Sequence, residues 1–249
     1  MRYFVELAYN GTNFYGWQKQ PNHTSIQSTI EEAFSLILRM PIEVVGCGRT
    51  DTGVHAKQYF LHFDYDGEFP QGFLQRINKY LPKSIAIYRI FKVHNEQHAR
   101  FDAYHRSYEY HIVGYKAPFH QETAYHFPFY KHLDAEKLQS AAELLLNYEA
   151  FFPFCKTHTD VKTMNCDLIR SEWIIDKDTQ NMVYHVSANR FLRGMIRLIV
   201  GMCLNVGLGK ISIDDVKKAM DQQERLDKSW SVPPQGLFLC DIRYEWKVV

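Results

Sequence analysis

The order of the predicted helices and strands constrains the fold of this chain most, because one order occurs twice. Apolar alternation and helical spacing between turn residues predict six elements in the first half. They are a strand at 3–9, a helix at 25–38, strands at 43–46 and 58–64, a helix at 72–80 and a strand at 85–94. In the second half they are a strand at 106–114, a helix at 134–146, strands at 168–176 and 182–189, a helix at 191–206, an added helix at 213–222 and a strand at 236–244. The repeated order is β-α-β-β-α-β, which is the ferredoxin-like unit.

This duplication predicts an α+β protein with an N-terminal half at 1–103 and a C-terminal half at 104–249. The sheets of two such halves can join side by side into one mostly antiparallel sheet with a central cleft between the halves. Because ligands often bind in clefts of this kind, we expect the functional site there.

The composition indicates a folded protein of the cytoplasm. Of 249 residues, 46% are hydrophobic and 23% are charged, which predicts a packed core. The formal net charge of +1 excludes a strongly basic protein that binds nucleic acid through a basic tail. It is compatible with nucleic-acid binding through a local basic cleft. The five cysteines form no C-x-x-C pair, so we expect reduced thiols. Arg2 and Glu6 flank the first apolar residues and argue against a signal peptide, and no apolar stretch is long enough to span a membrane.

A short connection between two predicted strands carries the strongest candidate for chemistry. The segment 46–56 has the sequence G-C-G-R-T-D-T-G-V-H-A and contains three glycines, which allow another molecule to approach the backbone closely. Asp51 lies two residues after Arg49, whose positive charge favours the ionised carboxylate. Asp51 is therefore a candidate nucleophile or base. The alternative is an ordinary turn, since Gly, Asp and Thr clusters commonly form turns.

Basic and aromatic residues alternate in the segment that joins the halves, 98–110. Arginines such as Arg100 can bind phosphate, and tyrosines such as Tyr108 can stack on a base that has left its helix. This pattern favours RNA binding. An edge strand with cross-strand tyrosine pairs and surface arginines is the alternative.

Three arginines, Arg190, Arg193 and Arg197, lie at spacings of three and four at the start of the predicted long helix. These spacings place them on one helix face. No acidic residue lies between Asp178 and Asp214, so the face lacks local charge compensation. This favours a phosphate or carboxylate partner over a merely solvated face.

The sequence predicts neither a metal nor a cofactor. Cys155, His158 and Cys166 have no fourth ligand at a suitable spacing, which a structural zinc site requires. The G-x-G-x-x-G and H-E-x-x-H motifs are absent from the sequence, so a nucleotide cofactor and a metalloprotease are disfavoured.

Several motifs along nearly the whole chain resemble the tRNA pseudouridine synthase A family. They are Y-G-W-Q at 15–18, G-R-T-D-T-G-V-H at 48–55, H-A-R-F at 98–101, a helix motif with Phe191, Met195, Ile196, Arg197 and Gly201, and Gly236-Leu237 before the last strand. The resemblance implies the pseudouridine synthase fold and an isomerase that converts uridine to pseudouridine in the tRNA anticodon stem-loop, at positions 38 to 40. It also implies a homodimer without a cofactor, in which each tRNA touches both subunits.

The resemblance further assigns residue roles. It implies that Asp51 is the catalytic residue, that Arg49 lies at the active site, that Tyr108 packs on the target base and that Arg197 pairs with the catalytic carboxylate. Arg100, Arg190 and Arg193 are our further candidates for substrate binding. The chain departs from the usual family residues at Thr52, Pro153 and Asn165-Cys166.

Two other functions fit parts of this pattern. One is a non-catalytic RNA-binding or chaperone module on the same scaffold. The other is an aspartate-based hydrolase of a small glycoside, which requires a second carboxylate as its acid partner. Asp102 is the only nearby candidate for that partner.

Overall fold

The computed structural model describes residues 1–156 and 163–246. The chain divides into two compact units, which are described separately. Unit 1 comprises Met1–Arg106 and the segment from Phe238 onward, and unit 2 comprises Ser107–Leu237. His158, which belongs to the weighed zinc pattern, lies outside the described residues.

Unit 1 has the strand order of a ferredoxin-like unit. Its elements are β1 (Arg2–Tyr9), α1 (Ile26–Leu38), β2 (Val45–Gly46), β3 (His55–Asp64), α2 (Phe73–Tyr80), β4 (Ile85–Val93) and β9 (Leu237–Tyr244), whose first residue belongs to unit 2. The sheet order is β4-β1-β3, and β2 and β9 both pair with β3. All these pairs are antiparallel except β3–β9, which is parallel.

Helix α1 begins and ends where its sequence signals place it. The Ser25 side chain accepts a hydrogen bond from the Ser28 backbone N–H, and the Ser28 side chain returns one to the Ser25 backbone, forming a capping box. The helix ends at Leu38, and the following C-cap residue, Arg39, has a φ of 58°. Its apolar face, which includes the buried Ile30 and Phe34, packs into the core.

The last strand belongs to unit 1 because of both pairing and aromatic packing. His55 and Ala56 of β3 pair with Phe238 and Leu239 of β9. Beyond β9, the Trp246 ring packs edge-on against two buried rings, those of Phe4 and Phe60. The division of the chain into halves at 1–103 and 104–249 remains a prediction about the duplicated element order.

Unit 2 contains a sheet ordered β5-β8-β7, with the short β6 beside β5. Its elements are β5 (Ala103–Val113), which begins in unit 1, β6 (Tyr125–His126), α3 (Ala135–Leu144), β7 (Leu168–Asp176), β8 (Asn181–Ala188), α4 (Met195–Gly207) and α5 (Ile213–Gln222). Strands β7 and β8 form an antiparallel hairpin. The hydroxyl of Ser171 on β7 donates to the carbonyl of Ala142 on α3 at 2.7 Å, which fixes that helix on the sheet.

These elements confirm the predicted α+β fold class with mostly antiparallel pairing. The two-residue strand β6 was not predicted, because so short a segment has no periodicity to detect. Within the described residues, no helix is long and apolar enough to cross a membrane.

One predicted helix start was wrong. Helix α4 begins at Met195 rather than at Phe191, because Gly194 has a φ of +73° and interrupts the helical backbone just before it. Arg190 and Arg193 therefore precede the helix, and of the three predicted face residues only Arg197 lies on it.

Candidate active site

The loop between β2 and β3 holds Asp51, and the segment 14–17 clamps its backbone on both sides. Before Asp51, the Thr50 carbonyl accepts a hydrogen bond from the Trp17 N–H at 3.2 Å. After it, the Gly53 N–H donates to the Phe14 carbonyl at 3.4 Å. The Asp51 carbonyl itself accepts from the Val54 N–H at 3.1 Å, which closes a tight turn. The Asp51 side chain is half-buried, so a carboxylate on a fixed backbone reaches the surface.

The clamp depends on a glycine at position 16. Gly16 has a φ of +78°, in the left-handed region that L-residues with a side chain rarely adopt. A Cβ atom at Gly16 would lie 2.4 Å from the Thr50 carbonyl oxygen and 3.0 Å from the Asp51 carbonyl carbon. The two segments therefore approach closer than any side chain permits, which explains the glycine between Tyr15 and Trp17.

Three aromatic rings form a buried floor under the loop. The rings of Trp17 and Tyr59 stack at 4.2 Å, and Tyr9 packs against both. The Tyr9 hydroxyl shares a hydrogen bond of 2.8 Å with the Thr50 hydroxyl, and the Tyr59 hydroxyl donates to the Gly48 carbonyl. Burial raises the pKa of Tyr59 well above its usual value, so this phenol remains a protonated donor.

The Arg49 side chain is exposed, and a glutamine holds it from one side. Its Nε donates to Oε1 of Gln18 at 3.2 Å, and Gln18 Nε2 donates to Oε1 of Gln27 on α1 at 2.9 Å. The Y-G-W-Q motif thus contacts the loop twice. Its glycine and tryptophan hold the backbone, and its glutamine contacts the arginine.

Arg106 joins the basic segment to the start of the loop. It donates through Nη2 to the Cys47 carbonyl at 3.2 Å and to the Arg100 carbonyl at 2.9 Å, and through Nη1 to the Ala103 carbonyl at 2.8 Å. Arg100 is thereby held on a segment fixed to the loop, with its guanidinium 5.7 Å from the ring centre of Phe101. The Phe101 side chain is 73% exposed, which is unusual for a large apolar group.

The start of β3 contributes a histidine that also fixes the amino-terminal segment. Nδ1 of His55 accepts a hydrogen bond from the Gly11 N–H at 3.0 Å, and the ring stacks on Phe238 at 4.6 Å. His55 is 1% exposed. It is thus a structural support of the loop rather than a surface group.

The remaining candidates belong to unit 2. The Tyr108 ring packs edge-on against Phe191 at 5.3 Å. Arg197 on α4 donates through Nε to the Val232 carbonyl at 2.7 Å, and the Val232 N–H donates to the Arg197 carbonyl at 3.2 Å. This reciprocal pair fixes the Arg197 side chain against the segment before β9.

Arg190 and Arg193 lie in the connection between β8 and α4. The Arg193 carbonyl accepts from the Lys156 N–H at 3.2 Å, and the Lys156 side chain packs over Gly194. Burial raises the pKa of the Cys166 thiol to about 11, and the positive charge of Arg190 partly opposes this shift. The expected continuous arginine face is thus absent, and two of its members belong to a loop.

The structure therefore brings Asp51, Arg49 and Arg100 into unit 1, and it places Tyr108, Arg190, Arg193 and Arg197 in unit 2. Sequence reasoning assigned no supporting role to five residues, Tyr9, Gln18, Gln27, Tyr59 and Arg106, although Gln18 lies in the Y-G-W-Q motif and Arg106 in the basic segment. Their roles could not be predicted, because each acts through a long-range contact that only the folded chain reveals.

Comparisons with known proteins show which family the chain is similar to. The family described as tRNA pseudouridine synthase matches residues 142–245. The tRNA pseudouridine synthase A of Bacteroides fragilis is 43% identical over 249 residues, which cover 99% of this chain and 98% of the relative. The proteins of the same name from Parabacteroides distasonis and Porphyromonas gingivalis are each 44% identical, over 98% of this chain and 96% and 97% of the relatives.

The α+β fold together with these relatives places the chain among the pseudouridine synthases. At this identity and coverage, the chain belongs to the tRNA pseudouridine synthase A family. The resemblance and the predicted class of enzyme, an isomerase, are thereby confirmed.

Proposed function

We propose that this enzyme isomerises uridine to pseudouridine in the anticodon stem-loop of tRNA, at positions 38 to 40, with Asp51 as the catalytic residue. The observation that carries the proposal is the clamp around Asp51. Backbone hydrogen bonds at Thr50 and Gly53 fix the peptide on both sides, while the side chain reaches the surface. A carboxylate held in this way is suited to attack without prior reorganisation.

The reaction breaks the N1–C1′ glycosidic bond, turns the uracil and joins C5 to C1′, after which C5 loses its proton and N1 gains one. It involves no net oxidation and requires no energy input, so we expect no cofactor. The Asp51 carboxylate has three routes into the reaction: attack on C1′, addition to C6 of the base, or removal of a sugar proton. The first resembles the covalent intermediate of retaining glycosidases.

The target uridine must leave its stack before Asp51 can reach it, at a cost of about a few kcal/mol. Stacking on Tyr108 offsets part of that cost, because an aromatic ring contributes about 1–3 kcal/mol per base. Arg197 pairs with the Asp51 carboxylate and orients it, while Arg49 acts beside it on the loop. Arg100, Arg190 and Arg193 bind phosphates of the RNA backbone.

We further propose that the enzyme acts as a homodimer in the cytoplasm, with each tRNA touching both subunits. This proposal rests on what the resemblance to the tRNA pseudouridine synthase A family implies.

The test incubates the purified protein with unmodified tRNA and maps pseudouridine by carbodiimide-dependent primer stops. We expect new stops at positions 38, 39 or 40 that disappear with Asp51→Asn. Glu43→Gln is the matched control, because Glu43 is an exposed carboxylate just before the same loop. Full activity in Asp51→Asn would refute the catalytic assignment, and stops confined to another arm would refute the anticodon site.

A further inference from the structure

The side chain of Arg49 has one hydrogen-bond partner among the described residues, and that partner is an amide. Its Nε donates to Gln18 Oε1 at 3.2 Å. Within the described part of the chain, the two Nη groups make no hydrogen bond and no carboxylate pairs with the guanidinium. The terminal edge of the guanidinium is therefore available to substrate, while Gln18 holds the inner edge.

Gln18 is in turn held by a residue of helix α1. Its Nε2 donates to Gln27 Oε1 at 2.9 Å, and the Lys19 backbone N–H donates to the same oxygen at 3.0 Å. Gln27 Nε2 donates to Oε1 of Glu31 at 3.0 Å and to the Val44 carbonyl at 3.1 Å. A chain of hydrogen bonds thus runs from Arg49 through two amides to a carboxylate.

The chemistry of the two ends fixes the direction of this chain. A guanidinium only donates hydrogen bonds, and an ionised carboxylate only accepts them. Each amide between them must therefore point its oxygen toward Arg49 and its nitrogen toward Glu31. Glu31 is 8% exposed and also accepts from the Val44 N–H at 3.2 Å and from Lys19 Nζ at 3.1 Å, so it is a fixed end point.

The same two α1 residues hold the segment that leads into the loop. Gln27 contacts the Val44 carbonyl, and Glu31 accepts from the Val44 N–H. Val44 directly precedes β2, after which the loop begins. Helix α1 therefore supports both the backbone that leads into the loop and, through Gln18, the Arg49 side chain.

We propose that Gln18, oriented by Gln27 and Glu31, is a positioning residue that holds the Arg49 guanidinium toward the RNA next to Asp51. This inference rests on the proposed function, because it assigns Arg49 a role in the reaction. The fork of a guanidinium suits phosphate or carbonyl oxygens only when its plane is fixed. Gln18 fixes that plane by binding Nε.

The first test measures single-turnover rates and tRNA dissociation constants of variants. Gln18→Leu keeps the approximate size of the side chain but removes its hydrogen bonds to Arg49 and Gln27. We expect a single-turnover rate about tenfold lower, with a tRNA dissociation constant within twofold of the original. Gln18→Glu keeps an acceptor for Arg49 but loses the donor to Gln27 Oε1, so we expect it to recover only part of the rate. Glu32→Gln is the control. Glu32 is exposed on helix α1, and we expect its replacement to leave both the rate and the tRNA affinity unchanged.

A double-mutant cycle with Arg49→Ala separates positioning from general damage. If Gln18 acts through Arg49, Gln18→Leu has no further effect on the rate once Arg49 is replaced. If Gln18→Leu lowers the rate by the same factor with and without Arg49, the proposal is overturned.

An NMR measurement distinguishes failure of this inference from failure of the proposed function. The Arg49 Nε–H resonance, assigned by its loss in Arg49→Lys, exchanges with water several-fold more slowly in the unsubstituted protein than in Gln18→Leu. This result is expected even if the protein modifies no tRNA. Equal exchange rates in the two proteins would overturn the positioning role itself.

Discussion

Gly16→Ala tests whether the backbone clamp positions the loop that carries Asp51. The new Cβ would lie 2.4 Å from the Thr50 carbonyl oxygen and 3.0 Å from the Asp51 carbonyl carbon, so the loop must move. An L-residue at a φ of +78° costs about 1–2 kcal/mol. Overpacking against the loop adds about 1–3 kcal/mol. We expect a total loss of about 2–5 kcal/mol in the free energy of unfolding.

Gly16→Ala also lowers the rate of the reaction. The atoms displaced belong to the Thr50–Asp51 peptide, and misplacing a reacting group by about 1 Å can lower the rate by about 100-fold. Urea unfolding measures the stability, and single-turnover pseudouridine formation measures the rate. Both measurements are made at a temperature where the variant remains folded.

Gly209→Ala is the matched control. Gly209 follows α4 with a φ of +67°, but a Cβ there would have no neighbour within 4 Å. This control therefore contains the backbone strain without the clash, and we expect about 1–2 kcal/mol of destabilisation and an unchanged rate. If Gly16→Ala is no less stable than Gly209→Ala and keeps the normal rate, the clamp does not position Asp51.

Two further predictions concern buried polar groups of unit 1. Tyr59→Phe removes the donor to the Gly48 carbonyl. We expect the free energy of unfolding, measured in urea, to fall by about 1–3 kcal/mol and the reaction to slow. An unchanged unfolding midpoint would contradict the role of this hydrogen bond. His62 is buried and accepts from the Ala99 N–H, and burial lowers its pKa to about 4 from 6.5. Between these values the unfolded chain binds the extra proton, so stability falls as the pH falls from 6.5 toward 4. Urea unfolding at several pH values measures this slope, which is shallower in His62→Asn; an equal slope in both proteins would contradict the assignment.

The sequence predicted the helices and strands well wherever a segment carried its own pattern. Ser25 and Ser212 mark helix starts with capping boxes, and both helices begin one residue later. The start of α4 was wrong because apolar spacing continues through 191–194, while the backbone at Gly194 does not. Periodicity reports which side chains are apolar, but not the sign of φ at a glycine.

The candidate site was predictable only in part, for a similar reason. Asp51 and Arg49 share one motif, so a local pattern identifies them. The residues that hold them are distant in sequence: Gln18 lies 31 positions from Arg49, and Tyr9 lies 41 positions from Thr50. An amide or a phenol in these positions is chemically ordinary until the fold supplies its partner.

The two charged groups of the loop are held with very different strength. Asp51 lies on a backbone fixed by buried aromatic packing. Packing between neutral rings depends little on salt or on pH near neutrality. Arg49 is exposed and held by one hydrogen bond to a neutral amide, which is worth about 0.5–1.5 kcal/mol. That energy favours the held orientation by a factor of about 2 to 13 over all others. We therefore expect Arg49 to sample other orientations in the free enzyme and contact with RNA to complete its ordering, whereas the backbone at Asp51 is fixed before substrate arrives.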